Sequence, residues 1–285
     1  MQKDLDEFVQ AACMFDPTDS LSPFTVDGVL VGWMKRSFTD HLRDWPEVFS
    51  VRPRGVAMLG HFESAAHRSV AIAEVVETLA SETIIKGWRN ELVSVSESFY
   101  SPPLFHVERA ASRHFGLTVY ASHLNGLTVK NGEPHMWIAK RADDKSIDPG
   151  KLDNLAAGRI ARAMSPFETL VKESFEEAGI ARELAVAAKG AGVVRCKREV
   201  EEGLHHELIF VHDLTLPENF TPKNQDGEVS GFQCVPIANM IERLEESAGE
   251  FTVDAALVAL DCLIRRGVFT SDREDYLEII HALRP

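Results

Sequence analysis

The stretch from Gly158 to Ile180 reads GRIARAMSPFETLVKESFEEAGI, and its second half decides the fold. Glu173, Glu176 and Glu177 stand at i, i+3 and i+4. On a helix that spacing stacks three carboxylates on one face, roughly 5–6 Å apart between Cβ atoms. Like charges so placed repel and need a compensating cation. A hard divalent ion with oxygen ligands meets the need, and Mg2+ is the usual one where phosphates are handled.

The helix is marked at both ends. Ser165 suits the N-cap, Pro166 the first helical position, and Glu168 completes a capping box. Gly179 is placed to end the helix in a left-handed conformation. Phe167, Leu170, Val171 and Ala178 form the apolar stripe expected to dock on a sheet. Lys172 lies four residues from both Glu168 and Glu176, so it can partly neutralise the acidic face. Taken alone, such a face is most often only solvated. Here a glycine-bearing loop precedes the helix, and strand-like sequence precedes the loop. Units of this kind can gather backbone groups and carboxylates around one metal–phosphate centre.

In register, Gly158, Glu173, Glu176, Glu177, Gly179 and Ile180 resemble the Nudix box, G-x5-E-x7-R-E-U-x-E-E-x-G-U, where U is bulky and apolar. Three positions depart from it. Met164 stands where the first glutamate is expected, Lys172 replaces the arginine, and Ser174 replaces an apolar residue. Lys172 keeps the charge but loses the bidentate fork. Ser174 is expected to weaken helix packing slightly. The resemblance reaches further, through Gly87–Glu91 (GWRNE), Glu108-Arg109, Ser122–Gly126 (SHLNG) and Trp137–Arg141 (WIAKR). It continues in Pro149–Asn154 (PGKLDN), Ala157-Gly158, Asp226–Val229 (DGEV) and Leu263–Gly267 (LIRRG). Together these resemble a Nudix branch with an extra N-terminal domain, which is similar to the Nudix region fused to thiamine pyrophosphokinase in fungi. Arg159 departs from the second glycine usual after Ala-Gly in that branch.

The resemblance implies an α/β (α+β) protein: a Nudix-type mixed sheet sandwiched between helices, preceded by a small α/β N-terminal domain. The expected division is 1–115 for the first domain, with a role in substrate recognition, and 116–285 for the Nudix domain. It also implies Mg2+, with Mn2+ as substitute, on Glu173, Glu176 and Glu177, plus the backbone carbonyl near Gly158. The activity implied is hydrolysis of a diphosphate joined to an organic group. Thiamine diphosphate or an altered form of it would give a monophosphate and phosphate. A nucleotide sugar or dinucleotide is the second reading, and a metabolite-binding regulator without catalysis the third. Only Met164 favours the third; retention of the three helix glutamates argues against it.

Composition agrees with a globular protein: 285 residues, 45% hydrophobic and 26% charged. A net charge of −14 argues against nucleic acid or anionic membrane as the main partner. A small-molecule diphosphate is the expected partner, and a homodimer is left open. Cys13, Cys196, Cys234 and Cys262 form no C-x-x-C pair, which reads as reduced thiols in a cytoplasmic protein. The opening MQKDLDEF has no apolar signal core, and no run approaches the ~18–20 apolar residues of a spanning helix.

Along the chain, helices are expected over Lys3–Phe15, Ala65–Ala80, with Val70, Ala73, Val76 and Leu79 at helical spacing, and His106–Phe115, closed by Gly116. Phe24–Trp33 reads as a strand pair about Asp27-Gly28, and Leu92–Val95 as a strand. Leu117–Val129 and Met136–Lys140 read as strands joined by a turn. After the box come strands at Gly192–Glu199, Glu207–Leu214 and Val229–Val235, and helices at Ile237–Glu246 and Val253–Arg266.

Hydrolysis needs a carboxylate to take the proton from water. Glu228 and Glu207 are the candidates, each near a strand end after the box, beside Glu173 as ligand and catalytic group. A surface carboxylate is an even alternative for either. Lys140, Arg141, Lys145 and Lys151 cluster before the box, and Arg195, Lys197 and Arg198 follow it. Arg141 and Lys151 are the choices for the diphosphate tail, although an edge strand explains such charges equally well. Trp88 and Arg89 are expected to reach the organic half of the substrate, while Trp137 belongs to the core. His123, His205 and His206 lack zinc-site spacing and read as surface or core histidines.

Overall fold

In the computed structural model, which describes residues 5–18 and 20–285, the first half builds around phenylalanines spaced along short strands. After helix α1 (Leu5–Cys13), strands β1 (Leu21–Val26) and β2 (Val29–Lys35) turn about Asp27-Gly28, both at positive φ. Helix α2 (Arg36–His41) leads to β3 (Phe49–Arg52) and β4 (Gly55–Met58), and the four strands lie in the order β2-β1-β4-β3. Helix α3 (Ala65–Ser81) is capped by Ser64, whose hydroxyl accepts from the His67 amide. Strands β5 (Leu92–Val95) and β6 (Phe105–Glu108) pair antiparallel. The core between them holds Phe24, Phe49, Phe105, Phe115, Leu117 and Val119, with Ile72, Val75, Val76 and Leu79 of α3.

Several expectations change here. The inward face of α3 starts at Ile72, and Val70 is 61% exposed. The helix expected over His106–Phe115 is absent. Phe105 and Val107 are buried while His106 is half-buried, the two-residue period of a strand, and only Arg109–Ala111 forms a 3-10 turn. Gly116 closes no helix there. Its φ is +60°, and a Cβ would lie 1.9 Å from the Trp33 carbonyl oxygen of β2. The first helix runs over Leu5–Cys13, and Lys3 lies outside the described residues. Leu5, Val9, Ala12 and Cys13 of this helix pack into the core of the second half.

The second half is one seven-stranded mixed sheet. Its strands are β7 (Thr118–Lys130), β8 (Glu133–Arg141), β9 (Leu152–Asp153), β10 (Ala156–Arg159), β11 (Lys189–Glu199), β12 (Leu204–Thr215) and β13 (Val229–Pro236). The main order is β11-β12-β7-β8-β13, with β10 on β7 and β9 on β8. Strands β7 and β12 run parallel; the other pairs are antiparallel. Helices α4 (Pro166–Ala178) and α5 (Arg182–Ala185) follow β10, and α6 (Met240–Ser247), α7 (Val253–Arg265) and α8 (Tyr276–Leu283) end the chain.

Strand alternation divides the two faces. Met136 and Ile138 face the core shared with α1, α6, α7 and α8, while Trp137 between them faces α4 and α5. Trp137 is therefore core, as expected. The result is a sheet between two helical layers. The short β9, β10, α5 and α8 were not foreseen, nor was the β3–β4 hairpin.

Candidate active site

Helix α4 begins as its sequence requires. The Ser165 hydroxyl accepts from the Glu168 amide at 3.1 Å, and Glu168 accepts from the Ser165 amide at 2.9 Å. Gly179 ends the helix at φ 66°. Leu170, Val171 and Ala178 are buried against the sheet. Phe167 is 38% exposed and leaves the expected stripe. Ser174 is fully buried, and its hydroxyl has no hydrogen-bond partner among the described residues. A polar group so placed costs packing energy, as its departure from the apolar pattern implies.

The helix packs on β10, which brings Gly158 against Glu173. A Cβ at residue 158 would sit 2.4 Å from both Cγ and Cδ of Glu173, so only glycine leaves this carboxylate its place. Glu177 accepts from the Ala157 amide at 2.8 Å. Lys172 puts its ammonium 3.0 Å from Glu173 and 2.6 Å from Glu176. Its pKa is raised: burial opposes the charge, but hydrogen bonds and charges from Glu176 and Glu173 outweigh it. Glu168 stays in the capping box and does not meet Lys172.

Electrostatics mark this corner as anionic. Burial, then Asp153, Glu173 and Glu228, push the Glu177 carboxyl well above its usual range, against the Ala157 hydrogen bond. Burial also raises Glu173, with Glu176 and Glu228 adding to it and Lys172 opposing. A bound divalent ion would offset this repulsion. The donors are hard carboxylate oxygens, the Gly158 backbone lies beside them, and a lysine ammonium already stands between two of them. These residues fit Mg2+ or Mn2+.

The carboxylates open on a cavity of about 450 Å³. Gly158, Glu173, Glu176, Glu177, Glu207, Glu228 and Arg141 all line it, as does Met164. Glu228 stands one residue before β13, ion-paired to Lys145. Burial works to raise its pKa, but the Lys145 hydrogen bond and charge, with Arg141 and Arg89, bring it below the usual range. It is therefore an anion close to the box. Glu207 lies inside β12 instead of at its end; it is 4% exposed, 3.4 Å from Arg159 Nε and 3.4 Å from His205 Nε2.

The other sequence-derived residues divide. Arg141 is held by Asp153 at 2.8 Å and faces the cavity. Lys151 pairs with Asp148 at 3.0 Å and does not line it. Arg89 bonds Ser146 and lines the adjoining pocket, while Trp88 is 39% exposed, bonds Asn90 and lines neither. Arg195, Lys197 and Arg198 lie along the edge strand β11, away from the cavity. His123 and His205 are buried and His206 half-buried. Asp153, Arg159, Asp254, Arg109 and Arg113 are cavity residues that spacing alone did not single out. Asp153 and Arg109 stood in quoted motifs; Asp254 reaches the site only through tertiary packing of α7.

This geometry belongs to a known family. A NUDIX domain model matches residues 123–255, and a domain of unknown function, DUF4743, matches residues 5–119. Nudix hydrolase 24, chloroplastic, of Arabidopsis thaliana is 38% identical over 264 residues, covering 92% of this chain and 72% of that one. Nudix hydrolase 20, chloroplastic, of the same plant is 35% identical over 271 residues, with the same coverage of both. The uncharacterized protein YJR142W of Saccharomyces cerevisiae is 32% identical over 237 residues, 76% of this chain and 68% of its own. The Nudix domain of Shewanella oneidensis NrtR, solved with ADP ribose, aligns at 12% identity and TM-score 0.42, covering 53% of this chain and 90% of its own.

The chain belongs to the Nudix hydrolase family, preceded by a DUF4743 domain. Its enzyme class is that of a pyrophosphohydrolase, acting on acid anhydrides. Among the described residues no helix is long and apolar enough to cross a membrane.

Proposed function

We propose that the chain hydrolyses the diphosphate of an organic diphosphate, with thiamine diphosphate or an altered form of it as substrate, giving the monophosphate and phosphate. The observation that carries the reading is Gly158 packed against Glu173 beside Glu176 and Glu177, on a cavity also lined by Arg109, Arg113, Arg141 and Lys145. The choice of thiamine rests on the sequence motifs shared with the thiamine-linked branch.

Glu173, Glu176, Glu177 and the Gly158 carbonyl would hold Mg2+, which supplies charge neutralisation on the phosphates and acidifies water. Glu228 takes the proton from water as the water oxygen bonds to phosphorus. The bridging P–O bond breaks with its electron pair on the departing oxygen. Arg141 and Lys145 would hold the phosphate oxygens, since both line the cavity. Residues from the first half also reach the cavity: Glu91 pairs with Arg109 at 2.8 Å, and both line it. This supports a recognition role for the expected domain 1–115 over the hydrolytic domain 116–285, with Arg89 of the adjoining pocket toward the organic half and Trp88 outside both pockets. A cytoplasmic setting, which the scattered cysteines suggest, completes the reading, and a homodimer is left open.

The test is phosphate release with Mg2+ over thiamine diphosphates, nucleotide sugars and dinucleotides. Preference for a thiamine diphosphate supports the reading. Turnover confined to nucleotide substrates overturns the substrate while leaving the reaction.

A further inference from the structure

Beside the same cavity, which Glu207 and Asp254 line, three elements converge on a different set of donors. Cys196 on β11 and Glu207 on β12 are directly paired across the strands. His205 lies two residues before Glu207, hence on the same face. Asp254, in the first turn of α7, comes down onto that face. One ligand atom each from Cys196, His205 and Asp254 lies within 4.8 Å of the other two. His205 Nε2 stands 3.1 and 3.2 Å from the two Asp254 oxygens and 3.4 Å from Glu207.

We propose that Cys196, His205 and Asp254 form a second metal site, with Glu207 beside it, for a zinc-class transition ion and distinct from the Mg2+ site. Ligands at the usual 2.0–2.3 Å around a tetrahedral ion lie roughly 3.4 Å from one another. The nitrogen–oxygen spacings here already have that size. The donor set decides the metal: sulfur, imidazole and carboxylate select a borderline-soft ion, whereas the box offers only oxygen, which suits Mg2+. The two sites therefore sort two metals by chemistry.

Burial supports a structural role. Cys196 is 0%, His205 1% and Glu207 4% exposed, so solvent competes weakly for the ion. Asp254 and Glu207 also line the cavity, which supplies an entry path. The ion would tie β11 and β12 to α7, joining the sheet edge to the helical layer. Arg159, 3.4 Å from Glu207, offsets the charge of that neighbouring carboxylate. Only the thiolate of Cys196 binds a metal, so loading the site would release a proton.

The experiment uses the full chain, stripped with chelator and dialysed against metal-free buffer. Zn2+ is titrated in competition with a chromophoric chelator, and Co2+ is then substituted for optical spectroscopy. The expected result is one tight Zn2+ per chain and a thiolate-to-cobalt charge-transfer band. Cys196→Ser should abolish the band and weaken Zn2+ binding at least about tenfold. His205→Gln should weaken it by a similar factor. Glu176→Gln should leave both readouts unchanged, which separates this site from the proposed Mg2+ site. A wild-type chain with no charge-transfer band overturns the proposal whether or not the variants fold. So does a band that survives in Cys196→Ser, because the ion would then sit on another thiol.

Discussion

Gly158→Ala is the sharpest perturbation the geometry offers. The new methyl would lie 2.4 Å from Cγ and Cδ of Glu173, where ordinary contact begins at 3.4 Å. The difference, 3.4 − 2.4, moves the carboxylate by about 1 Å. A misplacement of ~1 Å at a catalytic centre can cost about 100-fold in rate. The atoms displaced belong to a side chain, and Gly158 is not in the left-handed region, so the fold should survive. The assay is phosphate release against Mg2+ concentration on whichever diphosphate turns over best, with a thermal melt alongside. A roughly 100-fold fall in kcat, with a raised Mg2+ half-saturation and a melt near wild type, is expected. Unchanged kcat and unchanged Mg2+ dependence would show that Glu173 does not need this position.

Glu176→Gln should lose most turnover with the fold intact, read by kcat and circular dichroism; activity near wild type would remove it from the metal face. Lys145→Ala frees Glu228 from the cation that holds its pKa down, so that pKa should rise and the acidic limb of kcat/KM should move to higher pH. A limb that stays in place would point to another base. Burial lowers His206 from 6.5 to about 3, so between these values the unfolded chain binds a proton that the folded chain does not. Stability should therefore fall as pH drops from 6.5 toward 3, and His206→Gln should flatten that slope in denaturant titrations. Phe24→Ala removes a fully buried ring packed on Phe49, Phe105 and Phe115 and should cost about 3–5 kcal/mol in urea unfolding.

Local signals were the legible ones. The capping box, Gly179 and the three glutamates are set by residues within one helix, and α4 follows them closely. Long alternating runs also gave β7, β8, β11, β12 and β13, because each strand buries one or both faces against helices. Where tertiary packing chooses between patterns, local sequence does not decide the element. His106–Phe115 carries helix-compatible residues, but pairing with β5 takes Phe105–Glu108 into a strand. Val70 is apolar, yet α3 turns Ile72 inward instead. Glu207 and Glu228 looked alike in sequence. Only the fold sets one beside the box with Lys145 and buries the other between Arg159 and His205. Asp254 is distant in sequence from every motif glutamate, so no spacing rule could have found it.

We propose that the α4 carboxylates beside Gly158 hold the divalent ion. Mn2+ binding followed by electron paramagnetic resonance tests it without any choice of substrate. Full-length wild type should deplete the free Mn2+ signal at low protein concentration, and excess Mg2+ should restore it. Glu177→Gln keeps an oxygen for the Ala157 amide but removes the ligand charge, and should leave most of the Mn2+ free. Equal depletion by wild type and Glu177→Gln would contradict the assignment of this helix face as the metal site.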